Sequence, residues 1–422
     1  MKLAVIGGGW AGMAAAVAAV AGGHQPTVFE AARQLGGRAR ALPVRGPDGA
    51  MLGLDNGQHI LAGAYSETLG LMRTVGVAPE RALLRLPLTL RFPDGAGLAF
   101  PRWPAPFDAV AGIALARGWS AADKWSLWRT ARRWRADGFE CAPAASVAAL
   151  CDGLTRTVFT GLVEPLCVSA LNTPAGRASG QVFLRVLRDT LFERGGSNLL
   201  LPRCDLGALF PEAAAPWLRE RGGVVHTGRR VQDLARGAPG WLVDGLPFDA
   251  VLLACPPREA ARLADAAGAA APSWLARARA LRHEAIATVY TTGGPRLPLP
   301  MLALRTGAQA PAQFVFDRSQ LGGPAGLLAF VVSACQPDDD RIQDEVMRQA
   351  HALGWSGAEP LQTVIEKRAT FACTPGLERP PPRIAPGLLA CGDYVEGPYP
   401  ATLEGAVRSA LGAVAALTGD LN

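Results

Sequence analysis

The chain has 422 residues and a net charge of +6, with 49 glycines and 34 prolines spread along its length. This length exceeds what one simple core supports, so we expect two domains, or one domain with a large insertion, in a loop-rich α/β protein. The arginines are scattered and form no recognised nucleic-acid motif, which argues against a nucleic-acid partner, and an anionic membrane surface explains the basic balance as well as a polynucleotide does.

The eight cysteines show neither a CxxC pair nor metal-ligand spacing, and no signal peptide precedes the first predicted strand. They are therefore interpreted as reduced thiols of a cytoplasmic protein without a metal site. No stretch reaches the roughly 18 uninterrupted apolar residues of a membrane span. Any association with the inner face of the cytoplasmic membrane is expected to be peripheral.

The N-terminal residues predict a strand, a glycine-rich turn and a helix. Residues 2–6 are apolar and rich in β-forming types, which favours a strand buried on both faces. Gly7 and Gly9 then permit a tight turn and the approach of backbone N–H groups to a pyrophosphate. Gly12 lets the following helix, 13–20, pack closely on the strand, with its positive dipole end toward the phosphates.

A second predicted strand, 26–29, ends at Glu30 and Ala31. Glu30 follows Gly12 by eighteen residues, where a carboxylate would accept hydrogen bonds from the ribose hydroxyls of an adenine dinucleotide. A glycine-rich loop that merely turns the chain would leave Glu30 unexplained. The first thirty residues therefore predict a dinucleotide-binding unit.

The choice between NAD and FAD depends on the next segment, Leu35-Gly36-Gly37-Arg38. A second glycine pair followed by arginine places a flexible turn and a fixed positive charge beside the first phosphate site. This segment resembles an element of the amine oxidase and carotenoid desaturase superfamily that contacts the FAD pyrophosphate. The resemblance favours FAD as the cofactor and assigns Arg38 to its site.

The segment 54–61 contains Gly57, His59 and Ile60 in the order and spacing of a superfamily turn that lies against the flavin ring. The resemblance implies cofactor contacts at all three positions. His59 has two interpretations that the sequence does not separate: it contacts the isoalloxazine or the substrate, or it only hydrogen-bonds the backbone.

Tryptophan and basic residues alternate in the segment 103–135 to an extent seen nowhere else in the chain. Amphipathic helices of this composition suit a lipid headgroup boundary, with the rings at the interface and the guanidinium groups on phosphates. The alternative is a helical subdomain with tryptophans in its core and arginines on a solvated face. The tryptophans concerned are Trp103, Trp119, Trp125, Trp128 and Trp134.

Later segments return to the predicted nucleotide domain. In related flavoproteins the position of Val231 touches adenine through its backbone. Gly392 and Asp393 follow a short strand, and such an aspartate binds the ribityl or pyrophosphate region in FAD proteins of this class. The closing helix begins after Ala401, Thr402 and Leu403, and its dipole would face the flavin and stabilise the anionic reduced ring.

The predicted fold class is α/β, with a Rossmann-type FAD-binding domain and an interleaved α+β substrate domain of the amine oxidase type. The FAD-binding domain is assigned to 1–80, 207–275 and 366–422. The substrate-binding domain is assigned to 81–206 and 276–365. Helices are predicted for much of 146–210, and strands at 285–291, 313–316 and 327–334.

The chain as a whole resembles the squalene-associated FAD-dependent desaturases, the bacterial hydroxysqualene dehydroxylases of hopanoid biosynthesis. The blocks that carry the resemblance extend over nearly the full length: 54–59, 165–167, 170–174, 181–184, 187–189, 202–206, 392–393 and 398–402.

The resemblance implies removal of the hydroxyl from an allylic C30 isoprenoid alcohol, hydroxysqualene, giving squalene and water. An acid would protonate the leaving hydroxyl, and reduced flavin would deliver hydride to the allylic cation; an electron donor for the flavin is the implied partner. Desaturase-like flavoenzymes carry Lys-Gly-Gly where this chain has Arg203-Cys204-Asp205, which introduces a carboxylate near the substrate end. Asp205, His59 and Tyr399 are the candidate catalytic residues; Asp205 as a helix N-cap and Tyr399 as a pocket wall are the structural alternatives.

Two other functions share the FAD residues or the fold. A carotenoid-type polyene desaturase or an amine oxidase would use the flavin oxidatively. A prenyl-binding carrier resembling GDP dissociation inhibitors would use the fold without redox chemistry, but Arg38 and the Gly392-Asp393 pair argue against this possibility.

Overall fold

The computed structural model describes residues 1–192, 195–307 and 309–419, so residues 420–422 of the predicted FAD segment lie outside it. Its strands are mostly short. In chain order they are β1 (Lys2–Ile6), β2 (Gln25–Phe29), β3 (Ala41–Arg45), β4 (Met51–Asp55), β5 (Leu61–Ala62), β6 (Leu83–Pro87), β7 (Thr89–Arg91), β8 (Gly97–Ala99), β9 (Asn198–Pro202), β10 (Val224–His226), β11 (Leu234–Arg236), β12 (Trp241–Val243), β13 (Leu246–Phe248), β14 (Ala250–Leu253), β15 (His283–Thr292), β16 (Met301–Ala303), β17 (Phe314–Asp317), β18 (Leu328–Cys335), β19 (Glu359–Phe371), β20 (Arg383–Ala385) and β21 (Leu388–Ala390).

The helices include a π-helical turn, Phe159–Val163, and a 3₁₀ turn, Arg318–Leu321. Within the described ranges, no helix combines the length and the apolar character that crossing a bilayer demands. The α-helices are α1 (Trp10–Ala21), α2 (Ser66–Thr74), α3 (Pro79–Ala82), α4 (Phe107–Ala114), α5 (Ala121–Ala136), α6 (Val147–Leu150), α7 (Arg156–Val158), α8 (Glu164–Leu171), α9 (Gly180–Phe192), α10 (Leu206–Leu209), α11 (Pro211–Glu220), α12 (Pro257–Ala266), α13 (Pro272–Ala280), α14 (Ile342–Ala352) and α15 (Leu403–Gly419).

A six-stranded sheet in the order β10-β2-β1-β14-β21-β20 brings distant parts of the chain together. β1 lies between β2 and β14 and is parallel to both, so Ile6 pairs with Phe29 on one side and with Leu253 on the other. The carboxyl ends of these strands therefore meet at one edge, with Gly7 and Glu30 directly after them. This edge is where ligands bind in open parallel sheets.

Helix α1 is longer than the predicted 13–20 and begins at Trp10. Gly12 lies inside its first turn, where a Cβ would come within 1.8 Å of the carbonyl oxygen of Gly7. Glycine at this position therefore allows the helix to pack against the end of β1, as its spacing predicts. Ala14, Ala15, Ala16 and Ala19 are fully buried, and α1 packs on α15 from the other end of the chain.

The second large sheet has the order β16-β17-β18-β15-β19, with antiparallel pairing throughout. Strands β15, β17 and β18 correspond to the predicted strands in this region. β19 was not predicted, and it runs without interruption across the proposed domain boundary at 365/366. Glu366, Thr370 and Phe371 pair with β15 as far as His283, so the segment 366–371 lies along this sheet.

Helix α5 begins with a capping box in which Ser120 Oγ accepts the N–H of Asp123 and the Asp123 carboxylate accepts the N–H of Ser120. Such reciprocal bonds satisfy two N–H groups of the first turn. The tryptophans of this region divide between two environments. Trp119 and Trp134 are core residues, whereas the others, Trp103, Trp125 and Trp128, are exposed.

Candidate functional site

A cavity of about 1090 Å³ is lined by residues of both large sheets and of the helices between them. This volume is above the usual ~300–1,000 Å³ of a pocket for one drug-sized ligand. The predicted cofactor-binding residues on its wall are Gly7, Gly9, Glu30, Ala31, Arg38, Gly57, His59, Ile60, Val231, Gly392, Asp393, Ala401, Thr402 and Leu403. The remaining predicted residue, Gly12, lies behind the wall and holds α1 against β1.

The wall beside β1 is shaped for close approach to backbone N–H groups. Gly7 has a φ of 116°, a conformation that residues with a Cβ rarely adopt. Gly9 is the N-cap of α1, and no described side chain caps the first turn of this helix. Its N–H groups are therefore available to an anion at the positive end of the helix dipole. A Cβ on Gly9 would make only ordinary van der Waals contacts, the nearest to Gly37 at 3.8 Å.

The Glu30 carboxylate is fixed at the rim of this cradle by two backbone hydrogen bonds. One oxygen accepts the N–H of Gly8 at 2.6 Å and the other accepts the N–H of Ala32 at 2.7 Å. Each carboxylate oxygen can accept a second hydrogen bond. The geometry therefore leaves acceptor capacity for the hydroxyls of a ribose.

Arg38 and Asp393, which are 355 positions apart, join the two ends of the predicted cofactor site. The Arg38 guanidinium donates to the Asp393 carboxylate at 2.5 Å and to the carbonyl oxygen of Ala369 at 2.8 Å. Burial opposes the charge of Arg38, but the Asp393 carboxylate, together with Glu366 and Tyr394, more than offsets this effect and raises the pKa of Arg38. Because a guanidinium has five N–H donors, Arg38 can hold a phosphate oxygen while it keeps these contacts.

The phenol of Tyr394 lies on the cavity wall and is 2% exposed. Among the described residues its hydroxyl has no hydrogen-bond partner, and burial raises the pKa of Tyr394 well above its ordinary value. An unpaired buried hydroxyl costs about 1–3 kcal/mol. Such a group, two residues after Gly392, fits a polar ligand in the cavity. Together with the uncapped first turn of α1 and the hydrogen-bonded carboxylate of Glu30, this hydroxyl makes the wall of the cavity a good fit for FAD.

His59 reaches the cavity from the turn after β4. Its Nδ1 lies 2.9 Å from the carbonyl oxygen of Gly57. Burial, assisted by the positive charge of Arg38, lowers the pKa of His59. The imidazole is therefore neutral near pH 7, and with Nδ1–H donating to Gly57 it presents Nε2 as a hydrogen-bond acceptor.

Glu366 is a carboxylate on the cavity wall that the sequence did not predict. It lies on β19 opposite Ile286, and it accepts a hydrogen bond from the Asn56 amide at 3.3 Å. The same amide donates to the carbonyl oxygen of Arg38 at 2.8 Å. The Glu366 carboxylate acts to raise the pKa of His59, whereas the Arg38 charge acts to lower it. The cluster therefore combines a carboxylate, an imidazole and a fixed cation.

Tyr399 also lies on the wall, and the guanidinium carbon of Arg408 is 5.2 Å from the centre of its ring. Asp205, in contrast, is absent from the described lining of the cavity. Its carboxylate accepts the N–H of Ala208 at 2.9 Å and caps α10. Asp205 is thus placed as the N-cap of α10, which was the structural alternative to a substrate-end carboxylate.

The neighbouring carboxylate, Asp55, is also absent from the described lining of the cavity. It is 1% exposed and accepts the N–H of Leu206 at 2.8 Å. Burial raises the pKa of Asp55 to about 7. Asp55 therefore joins the turn before His59 to the start of α10.

The part of the cavity away from the glycine cradle is largely apolar. Its wall comes from the β7–β8 hairpin, from α4, α5, α8, α9 and the π-helical turn, and from the face of the second sheet. The residues that form it include Leu88, Leu98, Phe100, Ile113, Leu127, Ala131, Trp134, Leu162, Val163, Leu166, Phe183, Val186, Leu187, Leu199, Ile286, Phe314, Phe316 and Val331.

A nucleotide cradle on a parallel sheet, joined to an apolar pocket on an antiparallel sheet, defines an oxidoreductase of the FAD-dependent amine oxidase type. An oxidoreductase from Methanosarcina mazei has the same fold with a TM-score of 0.73, 17% identity, and coverage of 98% of this chain and 100% of that chain. For cyclohexylamine oxidase from Brevibacterium oxydans the TM-score is 0.68, the identity 16%, and the coverage 100% and 99%. At these identities the likeness shows the fold alone.

The chain belongs to the family of flavin containing amine oxidoreductases, whose model matches residues 10–418. Its cofactor is FAD. Hydroxysqualene dehydroxylase from Rhodopseudomonas palustris is 30% identical over 96% of this chain and 95% of the relative. The enzyme of the same name from Sinorhizobium fredii is 28% identical with the same coverage of both chains. The resemblance predicted from the sequence is confirmed by these relatives.

Proposed function

We propose that the protein catalyses the FAD-dependent reductive dehydroxylation of hydroxysqualene to squalene, a step of hopanoid or triterpenoid biosynthesis. The observation that carries this proposal is the continuity of the cavity, in which the glycine cradle and a long apolar wall enclose one space. A C30 isoprenoid alcohol is hydrocarbon except for one hydroxyl, so it matches a wall of this kind. The names of the relatives support the same substrate.

The chain's own residues divide the work of holding FAD. The N–H groups at Gly7, Gly9 and the start of α1 would bind the pyrophosphate, and Glu30 would bind the ribose. Arg38 and Asp393 would hold the segment between the two ends of the cofactor. Reduced FAD, when bound, supplies the hydride that replaces the hydroxyl of the substrate. Val231 and residues 401–403 would contact its adenine and flavin ends.

The residues near His59 would handle the hydroxyl and its proton. The neutral His59 accepts a hydrogen bond at Nε2 and thereby orients the substrate hydroxyl toward the acid. Since the hydroxyl leaves as water, a proton must be donated to it, and Glu366 and Tyr399 are the candidate donors on the wall. The apolar wall excludes bulk water, which would otherwise recapture the allylic cation.

The test is anaerobic incubation of the FAD-loaded protein with hydroxysqualene and dithionite, followed by gas chromatography. We expect squalene only with reduced flavin, and at least about a hundredfold loss of rate in whichever of Glu366→Gln and Tyr399→Phe removes the acid. Asp205→Asn is the matched control, because asparagine keeps an oxygen that can cap α10 and Asp205 is not part of the described cavity lining.

The absence of squalene would refute the proposal. A more conjugated product formed from phytoene under air would indicate an oxidative polyene desaturase instead. Squalene formed at the wild-type rate by both Glu366→Gln and Tyr399→Phe would leave the reaction standing and refute the assignment of the acid.

We further propose a cytoplasmic location, which the eight free cysteines support. An electron donor that reduces the flavin there belongs to the same proposal, since the reaction consumes reducing equivalents.

A further inference from the structure

The outer side of α4 and α5, together with the segment before α4, forms an exposed aromatic and basic surface that we call the Trp/Arg face. Several large apolar side chains of this surface are about half or more exposed to solvent. Trp103 is 59% exposed, Phe107 64%, Leu115 67%, Trp125 60% and Trp128 44%. Single exposed apolar residues are ordinary on protein surfaces, but five large ones within residues 103–128 favour a binding surface.

The face is ordered by its own contacts. The rings of Trp125 and Trp128, one turn apart on α5, are stacked with centroids 4.8 Å apart. The Arg132 guanidinium lies over the Trp128 ring at 4.7 Å. Lys124 Nζ donates to the carbonyl oxygen of Ala114 at 2.7 Å, which ties the start of α5 to the end of α4. The aromatic rings are thus held together at the surface beside cations.

The charge of the face is mainly positive, with Asp137 at the end of α5 as an exposed carboxylate beside it. Residues 101–136 contain seven basic residues, all exposed except the half-buried Lys124. The two acids of this segment, Asp108 and Asp123, are both buried and bonded to Ser197 and Ser120. The surface therefore presents positive charge and aromatic rings together, which matches an anionic lipid surface. Pairing with a second copy would place two cationic faces against each other.

The inner side of the same helices lines the cavity. Leu127, Ala131 and Trp134 lie at positions i, i+4 and i+7 of α5 and face the cavity, and Ile113 does the same from α4. One helix thickness, about 10 Å, therefore separates the exposed face from the apolar pocket.

We propose that the Trp/Arg face docks the protein on an anionic membrane surface and that the apolar substrate passes from the bilayer to the cavity beside α4 and α5. The docking stands independently of the reaction, whereas the passage of substrate rests on the proposed function. The rings enter the headgroup boundary and the guanidinium groups contact lipid phosphates.

The first experiment measures co-sedimentation of the FAD-loaded full chain with vesicles. We expect binding to phosphatidylcholine mixed with phosphatidylglycerol, weaker binding at higher salt, and little binding to phosphatidylcholine alone. The double variant Trp125→Ser/Trp128→Ser should bind at least about tenfold more weakly. Val224→Ser/Leu246→Ser, which alters two exposed apolar residues outside the face, should bind as the wild type does.

Docking is refuted if the tryptophan variant binds as tightly as the wild type. It is also refuted if the wild type binds neither kind of vesicle, and a concentration-dependent dimer in analytical ultracentrifugation would then identify a second copy as the occupant of the face.

The second experiment compares hydroxysqualene embedded in anionic vesicles with hydroxysqualene dispersed in detergent. The tryptophan variant should lose turnover, by about tenfold, only with vesicles. Equal turnover of variant and wild type with vesicles would overturn the delivery route. If the wild type converts neither preparation, the proposed reaction fails, while the result of the binding experiment stands on its own.

Discussion

Replacing the buried carboxylate of Asp55 by an amide tests the electrostatics of the turn that carries His59. Burial raises the pKa of Asp55 to about 7 from 3.8, although the N–H of Leu206 and the charge of Arg318 act in the opposite direction. Between these values the folded protein keeps a proton that the unfolded chain releases, so stability is lost as the pH rises from about 4 to about 7. The full difference corresponds to about 4 kcal/mol.

The Asp55→Asn variant keeps an acceptor for the N–H of Leu206 and removes the ionisable proton. We expect the FAD-loaded variant to be more stable than the wild type by up to about 4 kcal/mol at pH 8, with the difference disappearing near pH 4. With an unfolding entropy of about 2.1 cal/mol/K per residue, this gain raises the thermal midpoint by roughly 4–5 °C. Circular dichroism at both pH values measures it.

Asp137→Asn is the control, because it changes an exposed carboxylate and should alter stability by no more than about 0.5 kcal/mol. A lower midpoint for Asp55→Asn at pH 8 would refute the reasoning. It would show that Asp55 is ionised in the folded protein and stabilised there by Arg318, which is 4% exposed.

Two further substitutions test the site. Gly12→Ala places a methyl group 1.8 Å from the carbonyl oxygen of Gly7, so we expect the purified variant to lose its flavin absorbance. The control Gly70→Ala, in open space on α2, should keep it. A yellow Gly12→Ala protein would contradict the packing argument. Asp205→Ala should lower the free energy of unfolding by about 1 kcal/mol through loss of the α10 cap while squalene formation by the folded protein continues, and loss of turnover at unchanged stability would return Asp205 to the catalytic candidates.

The cofactor cradle could be predicted from the sequence because its geometry is local. The spacing of Gly7, Gly9 and Gly12 determines a turn and a helix start, and Glu30 follows from the length of one strand–helix–strand unit. The Gly392-Asp393 pair was placed by resemblance, since nothing local connects it to Arg38.

The polar cluster at the substrate end could not be predicted because it depends on sheet register. Glu366 reaches the cavity through the pairing of β19 with β15, and the mixed polar sequence of β19 lacks the apolar alternation that indicates a strand. The Trp/Arg face was ambiguous for a related reason. Tryptophans occur on both sides of α5, so periodicity alone did not show that Trp134 faces the core and Trp125 the solvent.

The pairing of Arg38 with Asp393 and the packing of α1 on α15 have a consequence for the order of events during biosynthesis. A ribosome completes the first half of the cradle long before the strand β21 and the helix α15 emerge. Until then, the edge of β14 and the apolar back of α1 stay uncovered, a condition that favours chaperone binding and aggregation. A cofactor site that uses both Arg38 and Asp393 is therefore complete only after β21 and α15 have been synthesised.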